Sequence, residues 1–345
     1  MAPLVGIIAN PVSARDIRRV VASATTLQTA DRANIVLRVL AALHACGITD
    51  VVMMPEGGGI HGYVERGIRR ARAGRDQAYP DVHLLSMPVT GTVTDTHVAA
   101  ARMREAGVAA IVVLGGDGTH RAVVAHCGPV PVAGISTGTN NAFPEYREPT
   151  VTGLATGLAA TGRVPATVAF MGNKRIDVSV NDGEVREIAL VDAAFVTERF
   201  VGARAVWRPE SLREVFVTFA DPEVIGISAI AGLLEPVRRD EPGGLMVRIE
   251  ARGDAPASDG VTLRAPLAPG LIASIGISDW RRMPSGVPFA PELKAGSIAL
   301  DGEREVAFSA GDRVSLTRKD DAFLTVNVGG CMRYAAQNRL LAGMA

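Results

Sequence analysis

The sequence has few aromatic residues and no net charge. Phe, Trp and Tyr make up 4% of its 345 residues, and 36 Lys and Arg balance 36 Asp and Glu. A balanced charge gives no overall attraction to nucleic acid or to an anionic membrane, so we expect neither as a partner. A ligand that carries phosphate must then be held locally, by backbone amides or by a few side chains.

Cysteine is also scarce. Cys46, Cys127 and Cys331 lie far apart and form no CxxC pair, so neither a disulfide framework nor a zinc site is indicated. No apolar stretch approaches the length of a membrane span. The opening MAPLVGIIANPVSARD lacks the basic region and the apolar length of a signal peptide. We therefore expect a cytoplasmic protein.

Several nucleotide and protease motifs are absent as well. The pattern GxxxxGK[ST] does not occur, and no GxGxxG follows the first predicted strand. These absences argue against a P-loop enzyme and against dinucleotide binding of the dehydrogenase type. The HExxH pattern of zinc proteases is missing too.

Apolar β-branched runs alternate with helical stretches over residues 1–148. The predicted strands cover 4–9, 50–54, 81–85, 109–114 and 131–135, and the predicted helices cover 31–46, 60–73 and 94–106. Thr92, Thr94 or Asp95 is expected to cap the last of these helices, and a glycine, Gly107, to end it. The alternation indicates βαβ units, so we predict an α/β domain with a parallel, Rossmann-like sheet.

After residue 148 the pattern changes to short alternating strands separated by turn signals. One more helix is predicted at 149–162, and Asn181-Asp182-Gly183 is a strong hairpin signal. We therefore predict an all-β, sandwich-like second domain over residues 149–330. The tail at 331–345 has a helical pattern, and we expect it to pack back on the first domain.

Residues 112–119 read VVLGGDGT, an apolar run that ends on glycines and one aspartate before a helix. Ligands of an open parallel sheet bind at such junctions, beside helix N-termini. Gly115, Gly116 and Gly118 permit positive φ and a close approach of backbone N–H groups to phosphate. Asp117 would repel bare phosphate, which suggests that it contacts a hydroxyl, a ribose or a water of Mg²⁺. This combination is typical of phosphoryl transfer; the plainer alternative is a tight turn that only caps the helix.

A second polar loop follows the next predicted strand, in GISTGTNNAFP at 134–144. It brings short hydrogen-bonding groups to a neighbouring carboxyl end of the sheet: Ser136, Thr137, Thr139, Asn140 and Asn141. The alternative is a Ser/Thr or Asx turn without a ligand. Two such loops on neighbouring strands favour a shared nucleotide site.

These motifs resemble those of the superfamily that joins the NAD kinases with the diacylglycerol and sphingosine kinases. Within it, the chain looks most like the ATP-NAD kinase-like proteins of the acetoin-catabolism protein X type, over nearly its whole length. IIANPVSAR at 7–15 is similar to the NPxSG opening of the lipid kinases, and residues 94–119 resemble the GGDG region of the NAD kinases. SIALDGEREVAFSAGDRV at 297–314 is similar to a late DGE element and carries Asp301 and Glu303.

The resemblance implies an active site in a cleft between the α/β domain and the β-sandwich. Asp117 would engage the acceptor hydroxyl, as general base or as orienter. The phosphates would be lined by Gly115, Gly116, Gly118 and Thr119. Further nucleotide contacts are implied for Asn10, Ser13, Thr137, Gly138, Thr139, Asn140 and Asn141, and acceptor contacts for Asp192, Ser228 and Asp301. The resemblance assigns no metal-ligating residue.

The implied activity is that of an ATP- and Mg²⁺-dependent small-molecule kinase with NAD as the default acceptor, in a homo-oligomer such as a dimer or tetramer. Two departures concern the acceptor. Val191-Asp192 stands where NAD kinases carry an Asn-Glu or Asn-Asp pair, and GISAI at 226–230 replaces GSTAY, with Ile230 for the aromatic residue. Both changes weaken the expected recognition of NAD. Two alternatives stay open: a kinase for another small hydroxylated acceptor in acetoin-type catabolism, and a nucleotide-binding accessory protein without turnover.

A lipid kinase is the least favoured member of this superfamily. It would need an apolar or basic membrane-docking surface, and the low aromatic content and zero net charge argue against one. FVGARAVWRPESLREVF at 200–216 has amphipathic character, and we favour an interdomain or subunit contact for it. The sequence leaves open whether ATP or polyphosphate is the phosphoryl donor.

Overall fold

The computed structural model of the protein describes residues 3–11, 27–74, 77–138, 141–198, 209–250 and 260–342. These residues form two β-sheets, one of nine strands and one of seven. The larger sheet is parallel at one end and antiparallel at the other, and the smaller sheet is antiparallel throughout. The predicted fold class, an α/β N-terminal part followed by an antiparallel β domain, is confirmed.

The parallel part of the large sheet is made of the five predicted strands. They are β1 (Val5–Ala9), β2 (Asp50–Met53), β3 (Asp81–Leu84), β4 (Ala110–Gly115) and β5 (Val132–Ser136), in the spatial order β3-β2-β1-β4-β5. Every residue of β1 and of β4 is buried, because helices cover both faces of the sheet. β3 forms the outer edge and is largely exposed.

Within the described ranges, four helices connect these strands. They are α1 (Thr29–Ala45), α2 (Ile60–Gly74), α3 (Val93–Glu105) and α4 (Asp117–Val124). The apolar sides of α1 and α2 pack in the hydrophobic core on one face of the sheet, and those of α3 and α4 in the core on the other. Thr92 caps α3 by accepting a hydrogen bond from the backbone N–H of Thr94 at 3.3 Å, and Gly107, with φ of 69°, follows its end.

The next part of the chain extends the same sheet with antiparallel strands. The elements are α5 (Pro149–Ala160), α6 (Ala166–Ala169), β6 (Phe170–Val180), β7 (Val185–Ala189), β13 (Pro288–Phe289), β16 (Val314–Val326) and α8 (Val328–Gln337). β16 lies between β5 and β6, and Asn181, Asp182 and Gly183 turn the predicted β6–β7 hairpin with positive φ at each residue. Strands from both sides of residue 148 therefore share one sheet. The domain boundaries at 148 and 330 stay predictions.

The strands of the small sheet are β8 (Asp192–Val196), β9 (Leu212–Val217), β10 (Leu245–Ile249), β11 (Val261–Ala268), β12 (Leu271–Arg282), β14 (Gly296–Leu300) and β15 (Glu303–Phe308). Their spatial order is β11-β12-β10-β9-β8-β14-β15. The helix α7 (Ser228–Gly232) covers the outer face of this sheet. Its inner face packs on β6 and β16, with Phe195 edge-to-face against Phe216 and Phe308 at centroid distances of 5.6 Å. This packing of two sheets is the sandwich-like feature, and it fixes the β14–β15 turn relative to the large sheet.

No helix in the described ranges is both long enough and apolar enough to cross a bilayer. Residues 200–208 of the predicted amphipathic segment at 200–216 lie outside the described ranges.

Candidate active site

The order of strand connections changes direction at β1. From β1 the chain adds β2 and β3 on one side and then crosses to β4 and β5 on the other. The carboxyl ends of β1 and β4 therefore flank a crevice, the position at which open α/β sheets bind ligands. Asn10 follows β1, and its side-chain Nδ2 donates to Oγ1 of Thr119 in α4 at 3.0 Å. The structure thus joins the NPxS and GGDGT motifs.

The glycines of the GGDGT turn provide space. Gly115, Gly116 and Gly118 all lie outside the left-handed region, so the expectation of positive φ is wrong. A Cβ on Gly115 would lie 2.5 Å from Cβ of Thr119, and a Cβ on Gly116 would lie 2.9 Å from Oδ1 of Asn141. The absent side chains therefore make room for two of the predicted polar residues.

The second predicted loop folds against this turn. The backbone N–H of Thr137 donates to the Gly115 carbonyl at 3.1 Å. Nδ2 of Asn141 donates to Oγ of Ser136 at 2.7 Å, and Gly138 leaves room for the same amide, since a Cβ there would lie 2.4 Å from Oδ1 of Asn141. Oγ1 of Thr137 is buried and has no hydrogen-bond partner within the described parts of the chain.

Asp117 begins α4, and its carboxylate turns toward the second loop. Its two oxygens accept the backbone N–H groups of Ala142 at 2.9 Å and Phe143 at 3.0 Å, and only 7% of the residue is exposed. Burial, assisted by the negative charge of Asp301, raises the pKa of Asp117 to about 7, although the two amides act in the opposite direction. At neutral pH the carboxyl group is therefore divided between its two protonation states, as suits a general base.

The turn around Asp117 is not sealed. Gly116 and Gly118, on either side of it, are partly exposed. Each carboxylate oxygen has a second lone pair, so acceptance of one amide N–H leaves capacity for a further hydrogen bond. The geometry therefore permits contact between the turn and a ligand in the crevice.

Asp301 approaches the turn from the small sheet. With Gly302 it forms the two-residue β14–β15 turn, in which both residues have positive φ, 52° and 80°. Its Oδ1 accepts the N–H groups of Leu190 at 2.9 Å and Val191 at 2.8 Å, and its Oδ2 lies 3.4 Å from Nε of Arg121 on α4. Burial raises the pKa of Asp301, opposed by Arg121 and the amides. An ion pair therefore links the small sheet to the helix that begins at Asp117.

The other predicted acceptor contacts are placed differently. The carbonyl of Asp192, a buried residue, accepts the N–H of Asp301 at 2.9 Å. Ser228 begins α7, which packs against β9, β10 and β11, and no hydrogen bond described for the site involves it. The contacts of both residues with an acceptor stay predictions. Outside the described residues lie three of the predicted nucleotide contacts: Ser13, Thr139 and Asn140.

Two more charged residues lie at this turn. Arg239, in the loop between α7 and β10, donates from Nη1 to the Phe143 carbonyl at 2.7 Å and from Nη2 to the Ala142 carbonyl. The carboxylate of Glu303 lies 3.9 Å from the position of a Cβ on Gly118. Glu303 belongs to the predicted DGE element. Arg239 stands in VRRDEP, which matches no motif, so only the tertiary structure reveals its position.

A second glycine cluster has the GxGxxG spacing but does not form an open phosphate site. Residues 57–62 read GGGIHG, after β2 and at the start of α2. The carboxylate of Glu56 accepts the backbone N–H groups of Gly58 and His61. The protein's own acid therefore occupies the N-terminus of α2.

Residues 134–138, GISTG, also match the GxSxG spacing of hydrolase nucleophiles. Ser136 accepts its hydrogen bond from Asn141, and no histidine bonds to it within the described residues. His120 is buried, donates from Nδ1 to the Gly116 carbonyl at 2.9 Å, and has a pKa lowered to about 4 by burial. The structure therefore contains no Ser-His pair of the hydrolase type at this position.

A small cleft lies beside the second loop. Its lining residues are Phe143, Asn173, Lys174, Leu190, Phe219 and Arg239. The described residues contain no group of three or more His, Cys, Asp or Glu side chains arranged to hold a metal ion.

Two glycine-to-alanine changes in the turn are expected to have opposite effects on stability. Gly115→Ala should lower the free energy of unfolding by about 1–3 kcal/mol, because the new methyl group overlaps the Thr119 side chain. Gly118→Ala is the matched control. A Cβ there meets nothing closer than 3.9 Å, and alanine is favoured over glycine in a helix by about 1 kcal/mol. Urea denaturation measures both, and equal effects would contradict the packing described for Gly115.

Replacement of Asp301 by Asn is expected to lower the pKa of Asp117, because it removes a buried like charge. Asn retains an acceptor for the Leu190 and Val191 amides and tolerates positive φ. A carboxyl group whose folded pKa is raised stabilises the protein below its unfolded pKa, and that contribution is lost as pH rises through the folded pKa. The unfolding free energy of the variant should therefore fall less than that of the wild type between about pH 4 and pH 7.

Urea denaturation across this pH range tests the expectation. Asp182→Asn is the control, since Asp182 also has positive φ, 57°, but lies in an exposed turn. Its curve should run parallel to that of the wild type. A parallel curve for Asp301→Asn would show that Asp301 does not influence Asp117.

The two halves of the chain match known family models. Residues 5–164 match the ATP-NAD kinase N-terminal domain, and residues 174–321 match the acetoin catabolism protein X C-terminal domain. Fold and matches together define a kinase-like protein with an NAD kinase-like α/β half.

The whole chain is 54% identical over 344 residues to acetoin catabolism protein X of Cupriavidus necator, a match that covers 99% of this chain and 94% of that protein. The chain therefore belongs to the acetoin catabolism protein X family, as its motifs predicted. A solved structure described as a candidate diacylglycerol kinase from Bacillus anthracis has a TM-score of 0.43 and 12% identity, with 94% of this chain and 96% of that chain covered. A likeness of this size bears on neither activity nor substrate.

Proposed function

We propose that the protein is an ATP- and Mg²⁺-dependent kinase of a small hydroxylated molecule, with NAD as the first acceptor to test. One observation carries the proposal: the Asp117 carboxyl group, with its pKa raised to about 7, begins the helix that follows the β1–β4 crevice. A base is thereby held next to the helix N-terminus at which phosphate groups bind. Membership of a kinase-like family supports the same reaction class.

The nucleotide is assigned to the crevice between β1 and β4. The first N–H groups of α4 have no acceptor within the helix ladder, and the helix dipole favours anionic groups there. Asn10 and Thr119 lie at this edge, joined by their hydrogen bond.

Mg²⁺ is usually held by one or two carboxylates together with the phosphates of the substrate. Glu303 lies beside the turn, whereas Asp301 does not fit this role, because its side chain is fully buried and its Oδ2 lies 3.4 Å from Nε of Arg121. The ion would neutralise charge on the transferred phosphoryl group.

In the proposed reaction the acceptor hydroxyl oxygen attacks the terminal phosphorus of ATP. The new O–P bond forms as the bond to the ADP oxygen breaks, and the hydroxyl proton passes to Asp117, which later releases it to water. The protein contributes mainly by positioning and by placing charges. Ionised Asp117 is the active form, so the rate is expected to rise with pH up to about 7.

A specific observation supports a second candidate for the acceptor. Val191 and Ile230, at the positions of the amide and the aromatic residue of NAD kinases, lie in hydrophobic cores and are 1% and 0% exposed. Neither side chain can contact an acceptor in the crevice. A small hydroxylated compound of acetoin-type catabolism is therefore the second candidate acceptor, as an alternative to NAD.

An acceptor screen coupled to ADP release separates the two candidates. NAD and a series of small hydroxy ketones and polyols are each supplied with ATP and Mg²⁺. Efficient turnover of NAD supports the first candidate and removes the need for the second. Turnover confined to the small compounds supports the second. If no compound in the screen leads to ADP release, a kinase of either kind is contradicted.

A non-catalytic nucleotide-binding role has its own supporting observation. Both oxygens of Asp117 already accept backbone N–H groups, so the residue also ties the turn to the second loop. Thermal shift with ATP, NAD and NADP beside the turnover assay tests this role. Stabilisation by a nucleotide without ADP release would favour a binding protein over an enzyme.

A further inference from the structure

The peptide group between Ala142 and Phe143 is held on both sides. Its N–H donates to Oδ1 of Asp117 at 3.0 Å, and its carbonyl accepts from Nη2 of Arg239. Each neighbouring peptide group adds one further bond: the N–H of Ala142 donates to Oδ2 of Asp117, and the Phe143 carbonyl accepts from Nη1 of Arg239. Asp117 and Arg239 thus hold residues 142–143 by hydrogen bonds from opposite sides.

Arg239 is itself held in place by residues that follow the first five strands in the chain, from both sheets. Its guanidinium carbon lies 4.2 Å from the centre of the Phe219 ring, which suits a cation–π contact. Nζ of Lys174 donates to the carbonyls of Arg238 at 2.9 Å, Glu241 at 2.8 Å and Gly243 at 2.8 Å. All three donors of this buried ammonium are therefore used to fix the loop that carries Arg239.

We propose that Arg239 is a positioning residue that clamps the 142–143 segment and thereby fixes the Asp117 carboxylate for the reaction, without touching the substrate. The inference rests on the proposed function and extends it to a residue that no motif marks. A hydrogen bond to a peptide carbonyl polarises the peptide and strengthens its N–H as a donor. The bond from Nη2 of Arg239 to the Ala142 carbonyl therefore strengthens the Phe143 N–H as a donor to Asp117 and favours the ionised carboxylate, whereas the bond to the Phe143 carbonyl, which precedes Pro144, holds the segment in place.

Other charged groups surround Asp117 and Arg239, and they affect how a titration of the Asp117 carboxyl group is interpreted. Those that face Asp117 are Asp301 and Glu303 from the small sheet, Arg121 and the neutral His120 from α4, and Arg239 itself. Those that act on Arg239 are Glu145, Arg147, Asp117 and Asp221. Apart from Arg239, none of them is altered by the Arg239 and Arg238 variants below, so a change in the Arg239 variants can be assigned to position 239.

The test compares Arg239→Met and Arg239→Lys with the wild-type chain. The first readout is the carboxyl ¹³C titration of Asp117 by NMR, assigned with Asp117→Asn. The second is hydrogen exchange of the amides at 142 and 143. Arg239→Met should raise the pKa of Asp117 above the wild-type value of about 7 and speed exchange at both amides at least about tenfold. Arg239→Lys keeps the charge but loses the two-pronged donor, so exchange should rise with a smaller change in titration.

Arg238→Met is the matched control. It removes the same charge from the neighbouring position, but that side chain is 77% exposed and pairs with Asp240. It should leave titration and exchange as in the wild type. The clamp is overturned if the Arg239 variants that fold show wild-type titration and wild-type exchange.

Turnover supplies a third readout that a purely structural role would not move. In an active enzyme, Arg239→Met should lower kcat about tenfold, with the pH profile displaced to higher pH and KM for ATP unchanged. A tenfold rise in KM for ATP with kcat unchanged would instead place Arg239 at the substrate and contradict a positioning role. If the wild type shows no phosphoryl transfer, the proposed function fails, while titration and exchange still decide whether the clamp exists.

Discussion

Asp117→Asn is expected to reduce kcat by about 10²–10⁴-fold, the contribution typical of a general base. The reason is that the amide cannot accept the proton of the acceptor hydroxyl. The rise of the wild-type rate toward pH 7 should also disappear, because Asn does not titrate there. ADP release with the acceptor identified in the screen, followed across this pH range, measures both effects.

This variant needs a test of folding, because Asn can accept only one of the two amides that Asp117 accepts. The amide N–H left facing the new NH₂ group would cost about 1–3 kcal/mol. Circular dichroism and a melting curve under assay conditions check that the fold survives. Asp81→Asn, an exposed change at the outer edge of the large sheet, should keep full activity. A folded Asp117→Asn variant that retains wild-type turnover shows that Asp117 is not the base.

Phe195→Ala is expected to lower the free energy of unfolding by about 3–5 kcal/mol, the usual cost of removing a buried aromatic ring from a core. Phe195 is 0% exposed and contacts the rings of Phe216 and Phe308 between the two sheets. Its loss leaves a cavity at the contact that sets the position of the Asp301 turn. Urea denaturation followed by circular dichroism gives the value.

Ile272→Ala provides the comparison for this effect. Ile272 is also a large apolar residue of the small sheet, but it is 69% exposed, so the change should stay within about 0.5 kcal/mol. Similar losses for the two variants would mean that the core does not lie where the structure places it.

Much of the parallel sheet was predictable because its signals are local. The apolar runs of β1 and β4 reflect burial on both faces, and a glycine-rich turn between a strand and a helix indicates the ligand-binding edge. The hairpin at Asn181-Asp182-Gly183 was predictable for the same reason, since positive φ at three successive residues restricts the choice of residue.

The sharing of one sheet by distant strands was not predictable. β16 inserts between β5 and β6, yet nothing within its own residues specifies either partner. Pairing over such distances depends on which edges remain free after the local units have formed. The role of Gly115 and Gly116 was not predictable for the same reason. Their missing side chains leave room for Thr119 and Asn141, and neither glycine adopts positive φ.

The sequence by itself determined the fold class, the family and the location of the GGDGT turn, because these depend on periodicity and on motifs confined to short stretches. Only the tertiary structure decided the environment of Asp117: its burial, the approach of Asp301, and the clamp from Arg239. The physical reason is that a pKa depends on every charge and dipole within a few ångströms. For Asp117 two of these groups, Asp301 and Arg239, lie more than a hundred positions away in the chain, and folding alone brings them to it.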